Sequence, residues 1–194
     1  MKDKYGRTYE AIKNHYDVEK QIANKLKKST REERTEIYRN MYDELFSKVP
    51  NHPRLLKRNN EEERKKSINN KLNFLLEFVN DSDTFLEVGP DDCRLAFEVC
   101  NYAQYVYGLD ISDQIGDYPK EKIPANFELL IYDGYNLNMD DEKIDVSYSD
   151  QMIEHLHPDD IELHFQMINR ILKHNGCYIL EIPHNFKGLH DVSK

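Results

Sequence analysis

The sequence of 194 residues lacks the features of a membrane or secreted protein. No run of apolar residues approaches the roughly 18 that a membrane-spanning helix needs. The N-terminal stretch MKDKYGRTYE is polar and does not resemble a signal peptide. We therefore expect a cytoplasmic protein without a membrane span, with one substantial core and some additional elements.

Cysteine is scarce in this chain. The three cysteines, Cys93, Cys100 and Cys177, are odd in number, and none of them forms a C-x-x-C pair. This pattern indicates neither a disulfide framework nor a cysteine-based zinc site. We expect the three side chains to be reduced thiols buried in the core.

Glycine is also scarce where a nucleotide site would need it. The stretch FLEVGPDDCRLAFEV, residues 85–99, has the form of a strand that enters a helix through a glycine turn, but Gly89 is its only glycine. A dinucleotide-binding G-x-G-x-x-G motif would need further glycines where Asp91 and Arg94 stand. The sequence therefore argues against an NAD-dependent dehydrogenase.

Positive charge is scarce after residue 80. Residues 1–80 contain 19 Lys and Arg against 13 Asp and Glu, a net charge of +6, whereas residues 81–194 contain 8 against 23, a net charge of −15. An acidic surface repels the phosphates of a nucleic acid. Any contact with a nucleic acid would therefore involve the basic N-terminal part. The alternative is that this part simply packs beside the acidic one.

The N-terminal part has a helical pattern. Apolar residues at three- to four-residue spacing predict helices near Tyr9 to Leu26, from Ser29-Thr30 to the prolines of VPNHPR, and from about Asn60 to Val79. We interpret residues 1–80 as a helical N-terminal cap region that covers the open end of the domain that follows.

From residue 83 the pattern changes to short strands. The runs TFLEV, YVYGLDI, FELLIY, IDVSYS and CYILEI are rich in apolar, β-branched and aromatic residues, which is typical of buried strands of about five residues. The helical patterns CRLAFEVCNYA and PDDIELHFQMINRILK follow the first and the fourth strand. This alternation predicts an α/β fold in residues 81–194, with a parallel sheet between layers of helices.

Carboxylates and histidines follow the predicted strands. Ligands of such sheets bind outside the carboxyl ends of the strands. The residues at these ends are Glu87, Gly89, Asp110, Ile111, Asp133, Gly134 and Asp150, followed by His155 and His157. This set favours a cation or a donor of hydrogen bonds and disfavours a pyrophosphate.

From about Thr84 to Pro183 the chain resembles class I S-adenosylmethionine-dependent methyltransferases. FLEVGPDDC is similar to the acidic strand end and glycine-rich loop of the family, and LKHNGCYILEIP is similar to its LKPGG turn and fifth strand. The resemblance implies a Rossmann-like fold, a ribose contact by Asp110 and a place near the adenine for Asp133. Asp91 and Cys93 stand where many members have glycine, so we expect the backbone to approach the cofactor less closely there.

The residues themselves also suit S-adenosylmethionine. Its sulfonium and ammonium groups are positive, and two ribose hydroxyls can donate to one carboxylate. With the resemblance, the strand ends give the predicted cofactor-binding residues as Glu87, Gly89, Asp110, Ile111, Asp133, Gly134 and Asp150.

Histidines are the candidates for chemistry with the methyl acceptor. His155 and His157 follow the fourth strand and His190 follows the fifth. Any of them could take the proton that a hydroxyl loses when it is methylated. The alternative is that this segment only orients a loop and begins a helix.

A metal ion is a further alternative at the same segment. QMIEH is similar to the ExxEH segment of metal-dependent members, but Gln151 replaces the first Glu and is a weaker ligand. We therefore predict no metal, with Glu154, His155 and His190 as the alternative ligand set.

The predicted function is methylation of an oxygen of a small molecule or sugar by S-adenosylmethionine. One alternative is a nucleic-acid (RNA) methyltransferase that uses the basic N-terminal helices, and another is a degenerate, non-catalytic cofactor-binding or interaction protein. The family sheet has a sixth and a seventh strand that residues 184–194 are too few to supply, so we expect these strands to be missing. The alternatives are that the protein is naturally short, that the chain is a fragment, or that a partner completes the sheet. An exposed edge strand favours association, which makes a homodimer a further prediction.

Overall fold

The computed structural model describes residues 2, 3, 5–116 and 118–182. The chain forms two compact units, of which the N-terminal one runs to Ser67 and the C-terminal one is Ile68–Ile182. None of the described helices combines the length and the apolar character that crossing a membrane requires.

The N-terminal unit is helical, and the three predicted helices are confirmed. A Thr30–Glu33 capping box begins the second helix, where each side chain accepts a hydrogen bond from the backbone N–H of the other residue. A short helix after the prolines was not predicted. The helices are α1 (Tyr9–Lys27), α2 (Arg31–Lys48), α3 (Pro53–Arg58) and α4 (Glu61–Leu75), whose last part belongs to the C-terminal unit.

The C-terminal unit contains a parallel sheet of five described strands in the order β3-β2-β1-β4-β5. All five predicted strands are confirmed. Because the order reverses between β1 and β4, the crevice for a ligand is expected at the carboxyl ends of these two strands. The strands are β1 (Thr84–Val88), β2 (Tyr105–Asp110), β3 (Phe127–Ile131), β4 (Ile144–Asp150) and β5 (Leu172–Glu181).

Helices cover both faces of this sheet. Side chains alternate along β1, so Phe85 faces one way and packs in a cluster with Leu72 and Leu75 of α4. Leu86 and Val88 face the other way, into a cluster with residues of α6 (Pro158–Ile171) such as Ile168. Both layers exclude water from the middle of the sheet. This arrangement confirms the predicted α/β fold.

Several predicted boundaries are corrected. The last helix ends at Ile171, because the following Leu172 already pairs with β4 as the first residue of β5. The helix after β1, α5 (Arg94–Val99), has only six residues. The third N-terminal helix ends at Leu75 and not at Val79.

The cysteines are free, and Cys93 is buried as expected, whereas Cys100 and Cys177 are partly exposed. The expectation of full burial therefore holds for one of the three side chains.

Candidate functional site

The register of the sheet brings the carboxyl ends of the central strands together. Val88 at the end of β1 pairs with Leu109 of β2 on one side and with Ser149 of β4 on the other. The N–H of Gly89 continues this pairing and donates to the carbonyl oxygen of Leu109 at 2.9 Å. The loop after β1 therefore begins level with the ends of both neighbouring strands.

Three carboxylates share one face of the sheet at these ends. Phe85, Val106 and Tyr148 lie in the same core cluster and so define one face. Because side chains repeat every second residue, the acidic residues two or four positions further on lie on the same face. These residues are Glu87, Asp110 and Asp150.

The loop after β1 has a left-handed backbone at one glycine and at two residues that are not glycine. Gly89 has a φ of 69°, and Asp91 and Cys93 have φ values of 55° and 61°. Non-glycine residues seldom adopt this left-handed region, which costs on the order of 1 kcal/mol for each of them. Asp91 and Cys93 thus adopt the backbone conformation that glycine favours. A Cβ at position 89 would lie 3.2 Å from Cγ of Met152, so this position is also tight.

Glu87 is the most buried of the acidic residues at this edge, with 5% exposure. Burial raises the pKa of its carboxyl group to about 8, and the charges of Asp150 and Asp92 add to the effect, while Lys71 opposes it. The group is therefore largely protonated at neutral pH. Its Oε2 atom is buried and has no hydrogen-bond partner among the described residues.

Asp150 has a cationic partner that comes from a helix. Nζ of Lys71, near the end of α4, donates a hydrogen bond to Oδ2 of Asp150. The other oxygen, Oδ1, is buried and accepts no hydrogen bond from any described residue. Lys71 was not predicted as a site residue, although its spacing of three residues from Ile68 and four from Leu75, both in the core cluster, put it on the side of α4 that approaches the sheet.

Asp110 holds the loop that follows β2. Its Oδ1 accepts hydrogen bonds from the backbone N–H groups of Ile111 at 2.7 Å and Ser112 at 3.2 Å. The carboxylate therefore has a structural role in shaping this turn. The predicted contact of Asp110 with a ribose would be additional to that role.

Asp133 has a similar place after β3. Its carboxylate accepts hydrogen bonds from the backbone N–H groups of Tyr135 at 2.8 Å and Asn136 at 2.6 Å, and from Nδ2 of Asn136 at 2.6 Å. Burial acts to raise the pKa of Asp133, but these hydrogen bonds outweigh it and lower the pKa. The turn contains Gly134, which has a φ of 90° that glycine adopts without strain.

The two described candidate bases differ in what they do locally. His157 is the N-cap of α6, and its Nδ1 accepts a hydrogen bond from the N–H of Asp159 at 3.2 Å. In the neutral ring Nε2 then carries the proton, so His157 keeps no lone pair for a substrate proton while it caps the helix. His155 ends the one-turn 3₁₀ helix Ile153–His155 after β4. The third candidate, His190, lies outside the described residues.

The described residues contain one group that could hold a metal ion, and it is not Glu154 and His155. It consists of His15, Glu19 and His52 in the N-terminal unit. Oε1 of Glu19 lies 2.9 Å from Nε2 of His15 and 3.9 Å from Nε2 of His52. This group was not predicted, although the sequence contains the i, i+4 spacing of His15 and Glu19 on a helix.

The hydrogen bonds of the two imidazoles oppose metal binding there. Nδ1 of His15 lies 3.0 Å from Nη1 of Arg7, and Nδ1 of His52 accepts from the N–H of Arg54 at 3.1 Å. Both partners can only donate, so both Nδ1 atoms accept and both Nε2 atoms carry the proton in the neutral rings. A histidine bound to a metal through Nε2 has the opposite tautomer. Burial acts to raise the pKa of Glu19, but the two histidines outweigh it and lower the pKa to about 2.

Residues 86–180 match the profile of a family described as "Methyltransferase domain". No curated protein sequence matches the chain. Among solved structures, the chain is similar in fold to the PH0226 protein from Pyrococcus horikoshii, with a TM-score of 0.56 and 23% identity over 62% of this chain and 58% of that one. The YcgJ protein from Bacillus subtilis gives 0.51 and 18% identity over 60% and 50% of the two chains.

A third similar structure is phosphoethanolamine N-methyltransferase 1 from Haemonchus contortus, solved with phosphoethanolamine and S-adenosylhomocysteine. It gives a TM-score of 0.57 and 16% identity over 75% of this chain and 32% of that one. The chain thus spans less than two thirds of the length of each of these three proteins.

The strained loop predicts that Asp91→Gly stabilises the protein. Glycine adopts the left-handed backbone of residue 91 without strain, which offsets its greater freedom in the unfolded chain, so we expect a gain of about 0.5–1 kcal/mol in the free energy of unfolding. The measurement is urea denaturation followed by circular dichroism. The matched control is Asp92→Gly, which removes the hydrogen bond from the N–H of Arg94 to Asp92 and should destabilise. A loss of stability in Asp91→Gly would contradict this account of the loop.

Burial of Glu87 predicts a loss of stability as the pH rises. The pKa of the folded state, about 8, is raised above the ordinary value of 4.5, so the folded chain holds the proton that the unfolded chain has lost. The free energy of unfolding should therefore fall between pH 4.5 and 8, by as much as ~5 kcal/mol.

The variant Glu87→Gln should lack this part of the pH dependence, because its amide does not titrate. Glu98→Gln, at an exposed position of α5, is the control and should retain the full dependence. Identical pH profiles for Glu87→Gln and the unmodified protein would show that Glu87 is ionised in the folded state.

Proposed function

We propose that the chain is a class I S-adenosylmethionine-dependent methyltransferase that transfers a methyl group to an oxygen of a small molecule or sugar, and the match of residues 86–180 to a methyltransferase-domain profile supports this proposal. The observation that carries the proposal is the set of three carboxylates on one sheet face, beside a loop with a left-handed backbone at residues 89, 91 and 93.

The charge of the site fits this cofactor. Oδ1 of Asp150 and Oε2 of Glu87, whose carboxyl group is protonated at neutral pH, are both buried without a hydrogen-bond partner among the residues that the structure describes. Such groups are costly unless a ligand satisfies them. An ammonium group offers three N–H donors to Oδ1 of Asp150, and its positive charge would favour the ionised form of Glu87, so that Oε2 would become an acceptor as well. A pyrophosphate would instead be repelled by them.

The other strand ends would hold the nucleoside. Asp110 would accept from the ribose hydroxyls, while its hydrogen bonds to Ile111 and Ser112 fix the turn that carries it. The turn of Asp133 and Gly134 after β3 would lie beside the adenine. In this arrangement the carboxylates would favour a positively charged nucleoside, and the turns after β2 and β3 would match its shape.

S-adenosylmethionine supplies an electrophilic methyl group on a positively charged sulfur. The contribution of the chain is to align the acceptor oxygen with that group and to remove its proton. His155 is our candidate for the base, since the lone pair of His157 Nδ1 is used to cap α6. His155 would take the hydroxyl proton on an imidazole nitrogen as the methyl group passes from the sulfur to the acceptor oxygen.

Calorimetry with the full chain tests cofactor binding. We expect heat of binding with S-adenosylmethionine and S-adenosylhomocysteine and none with NAD. Asp110→Asn keeps an oxygen for the N–H groups of Ile111 and Ser112 but loses an acceptor for a ribose hydroxyl. It should weaken S-adenosylhomocysteine by roughly 2 kcal/mol. Asp113→Asn, at an exposed position of the same loop, is the control. No heat with either ligand at millimolar concentration would refute the proposed function.

Transfer of a labelled methyl group to a panel of phenols, catechols and sugars tests the acceptor and the base. His155→Asn should lower the rate about a hundredfold or more, the usual contribution of a general base. His157→Asn should leave the rate nearly unchanged, because asparagine also caps helices. If His157→Asn abolished transfer and His155→Asn did not, our assignment of the base would be wrong.

A further inference from the structure

One side of α1 carries an alternating row of aromatic and cationic side chains. The members of the row are three, four or seven residues apart, which places them one above the other on a single face of a helix. None of them is acidic, and all lie within the 19 residues of α1. We call this row the Tyr–Lys stripe, and its members are Tyr9, Lys13, Tyr16, Lys20 and Lys27.

The opposite side of α1 is the one that packs in the N-terminal unit. Val18 and Ile22 lie on that side, in a cluster with Leu45 of α2. The Tyr–Lys stripe therefore faces away from this cluster, and Tyr9 and Tyr16 remain 70% and 45% exposed. Burial in the core of the N-terminal unit does not explain these two rings.

Two lysines of the Tyr–Lys stripe lack an acidic partner. Among the residues that the structure describes, Lys13 pairs with Asp17 at 2.8 Å, whereas Lys20 and Lys27 form no ion pair. Nζ of Lys20 instead donates to Oη of Tyr16 at 3.0 Å and lies 5.4 Å from the centre of its ring. This contact orients an exposed ring beside a cation whose charge is not neutralised.

A single-stranded nucleic acid has a repeat that matches this alternation. Each nucleotide presents one planar base, which stacks on aromatic rings, and one phosphate, which attracts lysine. An anionic membrane would attract the lysines but favours a wide apolar face, whereas the rings of this stripe carry hydroxyl groups and are separated by charges. An acidic protein surface would pair with the lysines and leave the exposed rings unexplained.

We propose that the Tyr–Lys stripe of α1 binds a single-stranded nucleic acid, with bases stacked on its tyrosines and phosphates beside its lysines. The stripe lies in the basic part of the chain, since residues 1–80 have a net charge of +6, so the phosphates are attracted there and not repelled. This inference does not rest on the proposed methyl transfer. Because stacking and phosphate contacts read no base edges, we expect little sequence preference.

Fluorescence anisotropy of short labelled oligo(U) RNA with the full chain tests the lysines. We expect binding in the micromolar range at low salt. Lys20→Gln should weaken it about fivefold or more and lower the slope of log affinity against log salt concentration by about 0.7, the value for one phosphate of a single strand. The matched control is Lys25→Gln, which removes the same charge from an exposed position outside the stripe and should stay within about twofold.

A second pair of variants tests the stacking. Tyr16→Leu keeps an apolar side chain without the ring and should weaken oligo(U) about fivefold or more, with the salt slope unchanged because no charge is lost. Tyr16→Phe keeps the ring and should bind nearly as well as the unmodified chain, although it loses the hydrogen bond from Lys20. Circular dichroism shows that each variant retains its helices.

The choice of nucleic acid tests the contacts further. Oligo(dT) should bind within about threefold of oligo(U), because neither stacking nor a phosphate contact uses the ribose 2′-hydroxyl. An RNA duplex of the same length should bind more weakly, because its bases are already stacked on one another.

Three results would overturn the proposal. An equal loss in Lys20→Gln and Lys25→Gln would show attraction by the general charge of the helix and not by the stripe. Equal affinities of Tyr16→Leu and Tyr16→Phe would show that no base stacks on this ring. Binding to phosphatidylserine vesicles without any binding to oligo(U) or oligo(dT) would show that the partner is a lipid surface.

Discussion

Burial of the Glu87 carboxyl group sets the conditions for the rest of the site. β1 is the central strand of the sheet, and helices cover both of its faces, so water does not reach this side chain. A carboxyl group in such a place either stays protonated or needs a cation. The charge of Lys71 opposes the rise of the Glu87 pKa, while the charge of Asp150 adds to it. A cationic ligand would relieve it.

The loop after β1 shows a second constraint, on the backbone. Asp91 and Cys93 keep a left-handed conformation at a cost that glycine would avoid. The packing around them sustains it, since Cys93 has no exposed surface and the N–H of Gly89 is tied to β2. The shape of the loop is thus set by the sheet and α5 and not by the choice of residues alone. Glycine content is therefore a poor guide to the conformation of this loop.

Histidine followed by proline has the same role twice in this chain. His52-Pro53 begins α3 and His157-Pro158 begins α6, and in both cases Nδ1 accepts from the backbone N–H two residues later. The sequence suggested chemistry for His157, because it follows a strand of the sheet. Its local neighbours indicate a cap instead, since proline favours the first position of a helix and leaves the histidine at the N-cap.

The sequence by itself determined the strands, the helices other than α3 and the acidic positions at the strand ends. The spacing of apolar residues, the capping residues and the prolines each act over a few neighbouring positions. The strand TFLEV and the Thr30–Glu33 capping box can therefore be predicted from their own residues. Only the tertiary structure decided which of these positions share a face, how deeply Glu87 is buried and which cation approaches it. Lys71 and Asp150 are 79 residues apart, and no local pattern relates them. Their contact arises because the apolar side of α4 packs against β1 and β4. This packing fixes the position of Lys71 relative to the end of β4.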